Sequence, residues 1–259
     1  MSDLKITILG CGSSFGVPLF HNIWGKCDPK EPKNKRTRPS ILVQKNNKNL
    51  LIDTSPDLKQ QFLSNKIDNI DTVFYTHEHA DHTHGINELR SINLIQGKII
   101  PCYGNEQTME KITNSFNYLF ENTEKSYYPA ILSKNLYSSK EFEIFGINIK
   151  LISQNHGDID SIGFIFDDKV AYNLDVKYFY DKEFFKKIEN IDHWIVGCLR
   201  IDPHISHASL SEVKEWLDIV KPKKAYLSHM TAHLDYKDTI NYLNNKNYMP
   251  AYDGQILEL

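Results

Sequence analysis

A mixed α/β fold built on two sheet layers is what this sequence predicts, on three observations. Short apolar runs rich in β-branched and aromatic residues recur along the chain, stripes of helical spacing fall between them, and polar residues punctuate the ends of the runs at Asp53, His77 and Asp175. At 259 residues the chain has room for a sizeable core and for one or two domains. With no internal repeat and no linker, one domain over residues 1–259 is expected.

Ile6-Thr7-Ile8-Leu9 opens the first strand, which runs into Gly10-Cys11-Gly12-Ser13-Ser14-Phe15-Gly16. Three glycines in that stretch permit close backbone approach, either as a phosphate cradle or as a tight turn. Residues 19–39 form a long irregular segment with Lys30, Lys33, Lys35, Arg36 and Arg38, read either as a solvated loop or as a phosphate-facing lip. Ser40 to Gln44 and Asn49 to Ile52 read as a hairpin turning at Asn46-Asn47-Lys48. Asp53 closes that second strand, as a helix-start residue or, the reading preferred here, as the carboxylate that orients a metal-bound histidine.

Leu58, Phe62 and Leu63 give the first helical stripe, and Ile86, Leu89 and Ile92 the next. Ile99 to Tyr103 is a strand, and the aromatic-rich residues 109–136 are mostly helical or irregular. Strands then follow around Ile144, over Ile147 to Ile152, and as a hairpin of Gly163 to Phe166 with Val170 to Leu174. They deliver His156 and Asp175. After a short strand at His193 to Val196, Ser209-Leu210-Ser211-Glu212 has the capping-box pattern of a helix start. Lys223 to Ser228 returns as a strand that delivers His229, and Gln255 to Leu259 adds an edge strand.

Composition narrows the function classes. A content of 41% hydrophobic and 24% charged residues is that of a globular protein, not a disordered one. The net charge of −3 argues against a surface that coats nucleic acid but leaves room for a local basic patch. No segment has signal-peptide form or membrane-spanning length, and four dispersed cysteines fit a reduced, cytoplasmic setting. Oligomeric state is not readable from these features.

The chemistry concentrates in Thr76-His77-Glu78-His79-Ala80-Asp81-His82-Thr83-His84, which holds four of the eleven histidines. Imidazoles and a carboxylate packed this densely after an apolar run are what a divalent transition metal requires and what a core avoids. In a regular strand His77, His79 and Asp81 share a face, and in a regular helix His77 and Asp81 do; neither brings in His82. A loop turning from strand into helix can converge all four, and two adjacent metals sharing the segment leave an open catalytic position. His156, Asp175 and His229 are the further candidates at distant strand ends.

His77-x-His79-x-Asp81-His82 with the later His156, Asp175 and His229 resembles the motif of the metallo-β-lactamase superfamily, over residues 10–236. The resemblance implies a four-layer αββα sandwich with the site at one edge of its two sheets. It implies that His77, His79 and His156 hold one metal, that Asp81, His82 and His229 hold the other, and that Asp175 bridges them. Such a pair generates a hydroxide at neutral pH, so hydrolysis is the expected reaction. Zinc is the expected ion, with manganese or iron as alternatives.

The order of the glycine loop, the basic loop and Leu51-Ile52-Asp53 is most similar to the phosphodiesterase branch, and within it to the phosphoribosyl 1,2-cyclic phosphate phosphodiesterases. A small cyclic or nucleotide-like phosphodiester is then the expected substrate. His207 matches the branch's general-acid histidine, expected to act as a protonated imidazole, while Arg36 and Arg38 would hold phosphate oxygens and His233 would line the pocket. The early loop offers Cys27 alone besides Cys11, so no structural zinc is predicted there. RNA is a less favoured substrate, because no glycine- and basic-rich insertion suited to gripping tRNA is present. A thiolester or lactam hydrolase, and a binding or regulatory module without turnover, are the remaining alternatives.

Overall fold

In the computed structural model, which describes residues 4–122 and 129–259, two mixed sheets pack face to face between outer helices in four αββα layers. In chain order the strands are β1 (Lys5–Gly10), β2 (Ser40–Lys45), β3 (Lys48–Ile52), β4 (Thr72–Phe74), β5 (Ile100–Gly104), β6 (Leu132–Leu136), β7 (Glu141–Ile144), β8 (Ile147–His156), β9 (Ile159–Phe166), β10 (Val170–Asn173), β11 (Tyr178–Phe179), β12 (His193–Gly197), β13 (Lys224–Ser228), β14 (Tyr248–Pro250) and β15 (Gln255–Glu258). The helices are α1 (Leu58–Asn65), α2 (Ala80–Thr83), α3 (Leu89–Gln96), α4 (Glu106–Ser115), α5 (Asn117–Phe120), α6 (Phe184–Lys187), α7 (Leu210–Val220) and α8 (Tyr236–Leu243). One sheet has the order β15-β1-β2-β3-β4-β5-β6 and the other β11-β8-β9-β10-β12-β13-β14, with β7 pairing against β8.

Each sheet changes from antiparallel to parallel along its width. β1, β2 and β3 pair antiparallel and β3 to β6 pair parallel; β8, β9 and β10 pair antiparallel and β10, β12, β13 and β14 parallel. Parallel neighbours need a crossover, and the helices supply it while covering the outer faces. The alternation of side chains sorts each strand between layers. Ile41, Val43, Leu50 and Ile52 enter the core between the sheets, with Phe164 and Phe166, whereas Trp194 faces outward onto Phe184 and Phe185 of α6 and Trp216 of α7. Leu42, Leu51 and Val73 point the other way, onto Leu58 and Phe62 of α1, Leu89 and Ile92 of α3, and Met109 and Ile112 of α4.

Local signals set most element ends. Ser209 caps α7 through the full capping box with Glu212, Asn105 caps α4 at Thr108 N, and Asp235 caps α8. Two expectations need correction. Leu63 is 72% exposed, and the inward face of α1 is Leu58, Gln61 and Phe62 instead. Gln61 is affordable there because its amide donates to Thr37 Oγ1 and Arg38 O. The stretch 109–136 ends in a strand, β6, which Leu132-Ser133-Lys134-Asn135-Leu136 does not advertise because it is an edge strand half open to water. Residues 123–128 of that stretch, and the first three residues of the N-terminal lead, lie outside the described residues. No described helix is long and apolar enough to cross a membrane.

Candidate metal centre

The ligand candidates arrive at one edge of the sandwich. β4 stops at Phe74 and the chain passes through His77 and His79 into α2, which carries Asp81 and His82. His156 is the last residue of β8, Asp175 lies two residues beyond β10, and His229 follows β13. Ile162 N donates to Thr76 O at 2.9 Å, which ties the second sheet to the histidine loop. Asp53, Asp175 and His229 all have left-handed backbone, with φ of 62°, 40° and 58°. Non-glycine residues rarely adopt it, at a cost of roughly 1–3 kcal/mol each, and here it swings each side chain off its strand end toward the site.

Two groups of four ligand atoms result. His77, His79, His156 and Asp175 place one donor atom each within 4.8 Å of one another, and so do Asp81, His82, Asp175 and His229. Asp175 belongs to both. Its Oδ2 lies 3.1 Å from His82 Nε2 and 3.3 Å from His77 Nε2, while its Oδ1 lies 3.0 Å from His229 Nε2. Asp81 Oδ2 is 3.3 Å from His229 Nε2, and His156 Nε2 is 3.2 Å from His79 Nδ1. Six of the seven residues are buried; His79 is the exposed one.

Partners behind the ligands fix which ring nitrogen faces inward. His82 Nδ1 meets Asp53 Oδ2 at 2.7 Å, and Asp53 in turn accepts from Thr76 N and Thr76 Oγ1, each at 2.8 Å. His156 Nδ1 donates to Ser206 O at 2.9 Å, and Thr76 Oγ1 lies 2.9 Å from His77 Nδ1. Nε2 of each ring is left for a metal. Buried and without hydrogen-bond partners, Nε2 of His77 and of His82 and Oδ1 of Asp175 all point into the site. Orphaned groups of this kind cost about 1–3 kcal/mol each, and divalent ions at the two groups would satisfy them.

The electrostatics suit a cation. Burial acts against charge on Asp175 and Asp81, yet the surrounding histidines hold both carboxyls well below the usual carboxylate range, so both are ionised. Burial and the neighbouring His82 push the His77 imidazole down, leaving it neutral and ready to ligate. Burial also opposes charge on His82, but Asp175, Asp81 and Asp53 overcome it and raise this pKa.

The remaining sequence candidates fall out differently. Glu78 turns away and is held by Gln107, Thr108 and Lys111 of α4, and His84 packs edge-on against Phe116. His233 is exposed and lines a cavity of about 390 Å³ in front of the ligands, together with His207 and Ser14. His207 stacks on His229 with centroids 4.9 Å apart and lies 4.5 Å from His156. Burial pushes its pKa down to about 3, helped by His229, His156 and His204 against Asp175, so the protonated imidazole expected from sequence is not its resting form.

Arg36 and Arg38 do not face this cavity as phosphate ligands. Arg36 is 2% exposed and donates to Thr231 O at 3.3 Å and Asn34 Oδ1 at 3.2 Å, pinning the early loop to the segment after His229. Arg38 is spent on Asp57, through Nε at 2.8 Å and Nη2 at 2.9 Å. The start of the glycine loop is a tight junction, and its Ser13-Ser14-Phe15-Gly16 end lines the cavity. Gly12 N donates to Thr37 O, Ser13 N to Met230 O and Cys11 N to Asp253 Oδ1, and a Cβ on Gly10 would lie 2.1 Å from Arg38 O. Three residues escaped sequence reasoning. Ser14 donates to Asp81 Oδ2 at 2.9 Å, and Arg200 and His204 line the cavity; a lone Ser, Arg or His carries no spacing that would mark it.

Residues 48–230 match the family model described as the beta-lactamase superfamily domain. The chain is 25% identical over 253 residues to the octanoyltransferase of Porphyromonas gingivalis, covering 97% of this chain but only 51% of that protein. It is 24% identical over 276 residues to the anti-Pycsar protein Apyc1 of Paenibacillus harenae, covering 97% and 98% of the two chains. Among solved structures, a diphosphatase from the PhnP family superposes with a TM-score of 0.88 at 29% identity, over 99% of this chain and 97% of that one.

Proposed function

The chain belongs to the beta-lactamase superfamily, and on that premise we propose that it is a metal-dependent hydrolase that holds two divalent ions and cleaves a small cyclic or nucleotide-like phosphodiester. The observation that carries the proposal is the pair of four-residue ligand groups sharing Asp175. Similarity to the PhnP-family diphosphatase and to the anti-Pycsar protein over nearly the whole of each chain supports the phosphodiester class. The octanoyltransferase is about twice the length of the matched region, so its activity is not carried over. Five histidines and two carboxylates suit zinc, and manganese or iron accept the same set.

Bound at these residues, the ions would supply a nucleophile at neutral pH and positive charge against the anion that develops on phosphorus. The chain's own part is orientation and proton handling. Asp53, Ser206 O and Thr76 hold the ligand rings at fixed tautomers, and Ser14 holds Asp81. His207, neutral at rest, offers an N–H to the leaving oxygen; an anionic phosphate beside it raises its pKa and makes proton delivery feasible. The 390 Å³ cavity suits a small substrate better than a folded RNA. Four free, buried cysteines fit a reducing, cytoplasmic setting.

Replacing Asp81 or His82 by Ala in metal-loaded protein should reduce hydrolysis of bis(p-nitrophenyl) phosphate to background. Wild-type turnover in either variant would sink the two-metal reading. A panel with a lactam, a thiolester and a tRNA precursor should show phosphodiester preference.

A further inference from the structure

The cavity in front of the ligands has an uneven chemistry. Its floor reaches the metal groups through Ser14 and His207, and its walls carry Arg200, His204 and His233 beside Phe15, Leu19 and Ala232. No carboxylate is among its described lining residues, in a chain of net charge −3. A larger cleft of about 510 Å³ near Lys33 and Tyr252 contains none of the ligand residues.

Arg200 lines the cavity with its guanidinium held by backbone. Its Nε donates to Asp202 O at 3.2 Å and its Nη2 to Pro203 O at 2.9 Å, so two backbone carbonyls hold the guanidinium plane. Among the described residues no carboxylate pairs with it, unlike Arg38, and it is not buried like Arg36. The fork has N–H groups beyond those two bonds, on a residue that lines the cavity, and its orientation is set before any ligand arrives. Phe15 is 74% exposed on the same lining, one residue from Ser14, on a turn closed by Gly16 N to Ser13 O at 2.8 Å. An aromatic face presented to a ligand cavity is a stacking platform for a planar apolar group.

We infer that Arg200 is a specificity-determining residue that holds an anionic oxygen of the substrate, and that Phe15 receives a planar substituent on that substrate. The ligand class is therefore an anionic phosphate ester bearing an aromatic or heteroaromatic ring. The inference rests on the hydrolase reading for its substrate, but its test does not require turnover.

Binding of inorganic phosphate and of phenyl phosphate to zinc-loaded protein, measured by calorimetry, separates the two roles. Arg200→Met should weaken both ligands about tenfold at unchanged zinc content, and Arg200→Lys should recover part of the loss. Phe15→Ala should weaken phenyl phosphate about fivefold and leave inorganic phosphate unchanged. With bis(p-nitrophenyl) phosphate, Arg200→Met should raise KM with little change in kcat. Unchanged phosphate affinity and KM in Arg200→Met would overturn the role of Arg200, and equal loss of both ligands in Phe15→Ala would overturn that of Phe15. Should Arg200→Met not fold, Arg200→Gln carries the same expectations. Wild-type protein that binds phosphate through Arg200 yet turns over no phosphodiester would leave this inference standing and remove the hydrolase reading.

Discussion

Asp53 decides which nitrogen of His82 faces the ligand cluster, because its carboxylate holds Nδ1 at 2.7 Å from a strand end whose φ of 62° few residues tolerate. Asn adopts left-handed backbone more readily than most, so Asp53→Asn removes the charge without adding strain. Metal affinity should fall about 10- to 100-fold, read by competition with a chromophoric chelator. His82 itself carries a pH prediction. Three carboxylates raise its pKa above 6.5 against the effect of burial, so near neutral pH the metal-free protein holds a proton that a metal must displace. Metal binding should release protons and tighten as pH rises; calorimetry in buffers of different ionisation enthalpy that found no release would contradict this. At this scale the seven ligand candidates were legible from sequence because their residue types cluster or sit at strand ends. Arg200 was not, since what sets it apart is that no carboxylate among the described residues pairs with it, and Arg36 misled because a basic residue in a polar loop gives no sign of burial.

At the scale of elements, the turn that follows α2 depends on Gly85, whose absent side chain lets the backbone lie against Ser55. A Cβ there would be 1.8 Å from Ser55 O, and Gly85 N donates to Thr54 O. Gly85→Ala should destabilise the protein by about 2–3 kcal/mol and lower metal affinity with it, because the shift propagates into Asp81 and His82. Ser209→Ala offers the contrast: loss of the capping box on α7 should cost about 1 kcal/mol in chemical denaturation and leave kcat nearly unchanged. The capping box, the hairpin at Asn46-Asn47 and the strands that deliver His156, Asp175 and His229 were all readable, since turn chemistry and period-2 apolar patterns are local. β6 and the inward face of α1 were not. An edge strand needs little apolar content, and Gln61 is buried through hydrogen bonds that only the tertiary structure supplies.

For the whole molecule, two sheets meet at one edge and each contributes to both ligand groups, one through His77, His79, Asp81 and His82 and the other through His156, Asp175 and His229, so folding and metal binding should be linked. His193 provides a separate acid-sensitive term away from the site. Burial, with Lys224 beside it, pushes its pKa from 6.5 down to about 4. A histidine whose folded pKa is depressed binds its proton more readily in the unfolded chain, so its contribution is present above pH 6.5 and is lost as pH falls toward 4. In metal-free protein, His193→Gln should flatten that part of the stability profile in urea denaturation. The four-layer architecture was implied by the resemblance of the histidine motif more than by any strand pattern, because sheet order is set by long-range pairing. Metal titration of chelator-stripped protein, followed by mass spectrometry and by phosphodiester turnover, tests the central claim most directly. Two ions per wild-type chain, no turnover without them and at most one ion in Asp175→Ala are expected; a single ion per chain, or hydrolysis that survives full metal removal, would contradict the account.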